Sequence, residues 1–193
     1  MNAQYPHIAC ILASGLSSRF GEQNKLLAKI NNKAIINYVA QTVCGAGFDR
    51  VYAIVSSDPA LHTALSEFEL DLIINHHPEL GQSEAIKLAA NTAITGGATS
   101  MTIILGDMPF ITTDHLIRLQ KEANNSDAVA SHNGKNSSPP VLFQSKLFER
   151  LKNLTGDYGA LAILKTLSDV EHVKARPELL LDIDTPQVLA EYT

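Results

Sequence analysis

Short apolar runs alternate with stretches whose apolar residues recur every three or four positions, and the alternation begins within the first ten residues. Residues 8–13 (IACILA) predict a buried strand, and 34–47 (AIINYVAQTVCGAG) carry helical spacing with a glycine stop. The rhythm repeats: a strand over 50–56 and a short helix over 58–66, then a strand over 71–75 and a helix over 83–94 opened by a serine. A third round follows, with a strand over 101–105 (MTIIL) and a helix over 112–123 that starts in the cap-like TTDH. Strands separated by helices in this order imply right-handed βαβ crossovers and a mostly parallel sheet covered on both faces.

Beyond residue 126 the rhythm changes. A further strand is expected over 127–131, and 133–140 (NGKNSSPP) reads as an eight-residue polar, proline-rich loop. A short apolar stretch over 141–143, helix-like segments over 146–151 and 158–167, and the sequence DIDTP near the end complete the chain. No linker, internal repeat or low-complexity tract interrupts it. The reading is one domain over 1–193, with a first part over about 1–125 and a C-terminal subregion over about 126–193.

Composition narrows the function. With 193 residues, 45% of them hydrophobic and 18% charged, the chain is of ordinary globular make-up and long enough to dispense with disulfides or structural metal. Its net charge of −5 argues against a nucleic-acid or anionic-membrane surface, so a bound anion must be met by a few local cations. Two cysteines, Cys10 and Cys44, are too few and too far apart for a zinc ribbon and read as reduced packing residues. The beginning, MNAQYPHIACILASG, lacks the basic start and long apolar stretch of a secretion signal, and no apolar run approaches the ~20 residues that span a bilayer. A cytoplasmic protein is expected.

The richest stretch is LASGLSSRFG (Leu12, Ala13, Ser14, Gly15 through Arg19 to Gly21), followed by Lys25. It leaves the first strand at its carboxyl end, where open α/β sheets bind ligands. Small residues there let backbone N–H groups approach a polyphosphate that two cations can neutralise. The spacing fits neither a Walker loop, because five residues separate Gly15 from Gly21 and Glu22 follows, nor the three-glycine dinucleotide fingerprint. A plain flexible loop with surface cations is the competing reading of this segment alone. Asp107, in LGDMP, ends another strand and can hold Mg²⁺ against phosphates, or simply make a turn before proline. Asp182 and Asp184 in DIDTP add two carboxylates where a helix cap is also expected. His76 and His77, adjacent on an extended segment, point to opposite faces and read as solvated. No G-x-S-x-G elbow occurs.

Taken in order, LASGLSSRFG with Lys25, LGDMP, GQS, PVLF, TGDYGA and DIDTP resemble the MobA-like nucleotidyltransferases over nearly the whole chain, and within them the molybdenum cofactor cytidylyltransferases. The resemblance implies a Rossmann-like three-layer α/β/α fold in which the first loop wraps a nucleoside triphosphate. Arg19 and Lys25 match the phosphate-binding cations, Asp107 the metal aspartate and Asp184 the second metal position, with Asp182 beside it. Leu12, Ala13, Ser14 and Gly15, with Gly81, Gln82 and Ser83, fall on the nucleotide side; Pro140, Val141, Gly156 and Asp157 fall on the acceptor side. The implied reaction is CTP plus a molybdopterin-type cofactor giving the dinucleotide and pyrophosphate with Mg²⁺, and a recipient molybdoenzyme or its chaperone as a further partner. The chain departs from the pattern at Ser14, where the family commonly has alanine or glycine, at Glu84 in a loop that is usually serine-rich, in the lead into PVLF, which lacks the usual basic residue and glycine, and at Leu161, where the family usually carries arginine. GTP as donor, a sugar phosphate as acceptor, and a non-catalytic nucleotide- or cofactor-binding module are the alternatives.

Overall fold

The computed structural model describes residues 5–17, 20–21, 24–123, 126–156 and 159–193. Its order is β1 (His7–Ala13), a hairpin of β2 (Lys29–Ile30) and β3 (Lys33–Ala34), α1 (Ile35–Cys44), β4 (Arg50–Val55), α2 (Pro59–Leu65), β5 (Asp71–Ile74), α3 (Gln82–Thr95), β6 (Ser100–Leu105) and α4 (Thr113–Lys121). There follow β7 (Ala128–His132), β8 (Ser137–Gln144), α5 (Phe148–Lys152), α6 (Leu161–Leu164), β9 (Val170–Lys174) and α7 (Pro186–Ala190). Seven strands form one sheet in the order β5-β4-β1-β6-β8-β7-β9. Every neighbouring pair is parallel except those of β8, which runs against both β6 and β7.

The three layers follow from residue alternation. Along β1, Ala9, Ile11 and Ala13 pack into one core with Ile36, Val39 and Val43 of α1, Leu61 and Leu65 of α2, and Leu116 and Leu119 of α4. Their neighbours Ile8, Cys10 and Leu12 face the other way, onto Ile86, Ala89 and Ala93 of α3 and Phe148 and Leu151 of α5. A strand buried on both faces must be apolar at every position, as IACILA is. Local signals fix the ends: Asp58 accepts from the Ala60 N–H with Pro59 in the first turn of α2, and Thr112 caps α4.

Two expectations for the C-terminal third are corrected. The span 133–140 is not a loop throughout: a tight turn around Asn133 gives way at Ser137 to β8, which runs through both prolines. Ladder pairing joins Ser131 to Ser138 and Ala130 to Val141, so a bulge skips Pro139 and Pro140 and the ladder never asks them for an N–H they lack. Of the helix expected over 158–167, the described residues show only the four-residue α6, and Val170–Lys174, with too few apolar positions to register as a strand, pairs as the edge strand β9.

A buried chain of hydrogen bonds ties α4 to this region. His115 is fully buried; its Nε2 lies 2.8 Å from Ser131 Oγ, which donates to the Pro140 carbonyl at 2.8 Å, while Arg118 approaches Nδ1 at 3.1 Å. Because Ser131 gives its proton to Pro140 and Arg118 can only donate, His115 must be neutral with its proton on Nε2. Burial, reinforced by the Arg118 charge and opposed by Asp114, pushes its pKa from 6.5 down to about 4.

Candidate functional site

Parallel packing brings the carboxyl ends of β1 and β6 together, with Leu12 opposite Leu105, and the chains leave side by side. The Gly106 N–H donates to the Leu12 carbonyl at 2.9 Å. A Cβ at Gly106 would lie 3.1 Å from both Ile36 Cδ1 and the Leu12 carbonyl oxygen, so glycine is what permits this approach. The next residue, Asp107, is thereby placed beside the loop after β1. Its carbonyl accepts from the Ile183 N–H at 2.9 Å, which stitches the C-terminal segment to the same spot. Ile183 is fully buried in a small cluster with Ile30 and Ile35, closed by Phe110 packed on Tyr192. Asp182 and Asp184, on either side of it, turn towards Asp107.

The result is three carboxylates, Asp107, Asp182 and Asp184, each with an oxygen within 4.8 Å of the others. Lys25 reaches them from a one-turn 3₁₀ helix capped by Asn24, whose side chain also donates to Asp58. Its Nζ lies 2.5 Å from Asp107 Oδ2 and 2.6 Å from Asp184 Oδ1. Burial works to lower the lysine pKa, but the attraction of Asp107 and Asp184 outweighs it and the ammonium is held more firmly than usual. Asp182 shifts the other way from a normal carboxyl: burial first, then its two acidic neighbours, raise its pKa. Asp107 Oδ1 is buried and has no hydrogen-bond partner among the described residues. An oxygen-only donor set with one such orphaned oxygen fits a hard divalent cation, which takes carboxylates together with phosphate oxygens.

Two cavities of about 340 Å³ each meet here. The first is walled by residues 12–16 of the loop after β1, by Lys25 and Asp107, and across the cleft by Glu79, Gly81 and Gln82. The second is bounded by Met108, Ser138, Pro139, Gly159, Leu161 and Asp182. Leu12, Gln82 and Leu105 line both, and the carboxylate cluster spans the junction, with Asp107 on one wall and Asp182 on the other.

Of the residues expected to carry function, Leu12, Ala13, Ser14, Gly15, Lys25, Gly81, Gln82 and Asp107 thus share one cavity, with Asp182 and Asp184 at its edge. Ser83 is buried and its N–H donates to the Gly156 carbonyl at 3.3 Å, which ties the two loops together. Pro140 and Val141 are buried in β8, and the second cavity is faced instead by Ser137, Ser138 and Pro139. Arg19 and Asp157 lie outside the described residues. His76 and His77 are exposed, and His77 pairs with Glu79. The sequence reading passed over Asn75 and Glu79. Buried Asn75 donates to Ser14 Oγ at 3.0 Å and braces the first loop; the signal was a polar residue closing the apolar run DLII. Among the described residues no helix is long and apolar enough to cross a membrane.

Comparison with known proteins finds the same fold. The purine catabolism protein PucB of Bacillus subtilis (strain 168) is 31% identical over 192 residues, covering 93% of this chain and 92% of that one. A probable molybdenum cofactor guanylyltransferase of Pyrococcus horikoshii is 29% identical over 123 residues, 64% of this chain and 59% of that protein. Rv0371c of Mycobacterium tuberculosis H37Rv, solved in complex with manganese, has the same Rossmann-like fold, with a TM-score of 0.82 at 18% identity over 97% of each chain. Residues 9–173 match the MobA-like NTP transferase domain, and the chain belongs to that family of nucleotidyltransferases.

Proposed function

We propose that the protein transfers CMP from CTP to the phosphate of a molybdopterin-type cofactor and releases pyrophosphate. The observation that carries this reading is the meeting of Lys25 with three carboxylates at the junction of two cavities, one for each substrate. In it, the parts over about 1–125 and 126–193 act as the nucleotide and acceptor sides of one domain, in the cytoplasm, with a recipient molybdoenzyme or its chaperone downstream.

An acceptor phosphate oxygen attacks the α-phosphorus, the bond to the bridging oxygen of the β-phosphate breaks, and pyrophosphate leaves in line. Such a transfer draws its acceleration from positioning and charge neutralisation. Asp107, Asp184 and Asp182 would hold Mg²⁺, which supplies positive charge to the phosphate oxygens in the transition state. Lys25, Arg19 and the N–H groups around Gly15 bind the β and γ phosphates and the departing pyrophosphate. Gln82, bordering both cavities, orients the nucleotide towards its acceptor.

Pyrophosphate release, measured for each of the four nucleoside triphosphates with Mg²⁺ and purified cofactor, tests the reading. CTP should be turned over fastest and yield the dinucleotide. Preference for GTP would move the donor, and no release from any triphosphate would leave a binding module. A second acceptor class has one observation in its favour: Leu161, where the family usually carries arginine, stands on the wall of the second cavity. Substituting a sugar phosphate for the cofactor in the same assay separates the two.

A further inference from the structure

We infer that Lys25 is an internal counter-cation that keeps free divalent metal off the Asp107–Asp182–Asp184 cluster and yields the place only when a triphosphate draws its ammonium away. The inference rests on the reading of that cluster as the metal site. Lys25 Nζ bridges Asp107 and Asp184 at 2.5 and 2.6 Å, with only 15% of its side chain exposed, so it already neutralises part of the charge that a metal ion would meet. A divalent ion entering alone has to displace it or sit against its positive charge. The lysine backbone is pinned by the Asn24 cap and the Asn24–Asp58 bond, which leaves the flexible four-carbon stem as the moving part. That stem lines the first cavity, where a polyphosphate offers its ammonium an alternative anion. Metal and nucleotide then bind cooperatively, and each strengthens the other by the same factor.

Titration of the whole protein with Mn²⁺, with no nucleotide present and free Mn²⁺ read from its paramagnetic resonance signal, tests this apart from activity. Lys25→Met keeps the stem and removes the charge. Removing a unit charge about 4 Å from a divalent ion is worth about thirtyfold even under full water screening, so Lys25→Met should bind Mn²⁺ at least about tenfold more tightly than the parent. Adding Asp107→Asn to Lys25→Met should abolish that gain. Equal or weaker Mn²⁺ binding by Lys25→Met, with binding still sensitive to Asp107, overturns the role of Lys25 and leaves the metal site standing. Mn²⁺ binding that is absent throughout, or indifferent to Asp107→Asn, overturns the metal site and the inference together. Lys25→Gln, polar and neutral, takes the place of Lys25→Met if circular dichroism shows the latter unfolded.

Discussion

Lowering the pH from 7.5 to 5 should cost the protein about 2 kcal/mol of stability through His115 alone. Buried between Ser131 and Arg118, this imidazole keeps its neutral form down to about pH 4, whereas in the unfolded chain it titrates near 6.5. Between those two values the unfolded state binds a proton that the folded state does not. Stability therefore rises with pH across the window, is fully present above about 6.5, and is lost as the pH falls towards 4. The whole window is worth about 3 kcal/mol, of which about 2 kcal/mol has gone by pH 5. Urea unfolding at pH 7.5 and pH 5, run on the parent and on His115→Gln, isolates the effect. Glutamine offers Ser131 an N–H and Arg118 an oxygen but does not titrate, so the parent should lose about 2 kcal/mol more than the variant between the two conditions. Equal losses would show that His115 takes up its proton in the folded protein as readily as in the unfolded chain, and the hydrogen-bond chain to Pro140 would have to be redrawn.

Asp107→Asn keeps the shape of the site but removes a charge on which the transition state depends. Its kcat/KM for pyrophosphate release should fall by about 10²–10³ with the thermal midpoint little changed. Lys25→Ala should raise the KM for the triphosphate and lower kcat while scarcely altering the affinity for the nucleoside monophosphate, which isothermal titration would read directly. At Gly159 a Cβ would come within 2.4 Å of Gln82 Oε1, the end of a flexible side chain. Gly159→Ala should therefore cost less than about 1 kcal/mol in chemical denaturation yet slow transfer by displacing Gln82. Ile183→Ala, at a fully buried position, should cost about 2–4 kcal/mol by the same measurement.

Most of the first two thirds of the fold was legible because its longer elements announce themselves locally; the short β2–β3 hairpin does not. IACILA is apolar throughout and RVYAIV and MTIIL are mostly so, as strands buried on both faces require, and the helices open on Asp58 and Thr112 near the expected positions, whereas Gly81 and not a serine stands at the cap of α3. The last third hides its strands for physical reasons. β8 contains two prolines, which local rules read as a loop, and only the bulge opposite Ala130 and Ser131 makes them acceptable. β9 lies at the sheet edge, where VEHVK needs a single buried residue, Val173, and so carries no apolar pattern to detect.

The site shows the same division between local and non-local information. Lys25, Asp107 and Asp184 stood out because small residues, prolines and charges cluster near the ends of apolar runs, and their motifs point to one chemistry only when taken together in order. Their convergence depends on contacts no short window contains: Gly106 on Leu12 across the sheet, Ile183 on Asp107 across 76 positions of chain, and an ion pair between Lys25 and Asp184 that spans 159. The wall of the second cavity is harder still. Its position depends on the bulge that turns Ser137, Ser138 and Pro139 outward while burying Pro140 and Val141, so the residues that face the cavity precede the PVLF motif rather than lie in it. Motifs in this chain therefore locate the strand ends, and side-chain direction at those ends decides which neighbours can touch a substrate. For the first cavity the two coincide, because a loop leaving a parallel strand must pass over its carboxyl end. For the second cavity they do not, because an antiparallel strand enters the sheet there and its bulge leaves Pro139 and Pro140 out of the ladder.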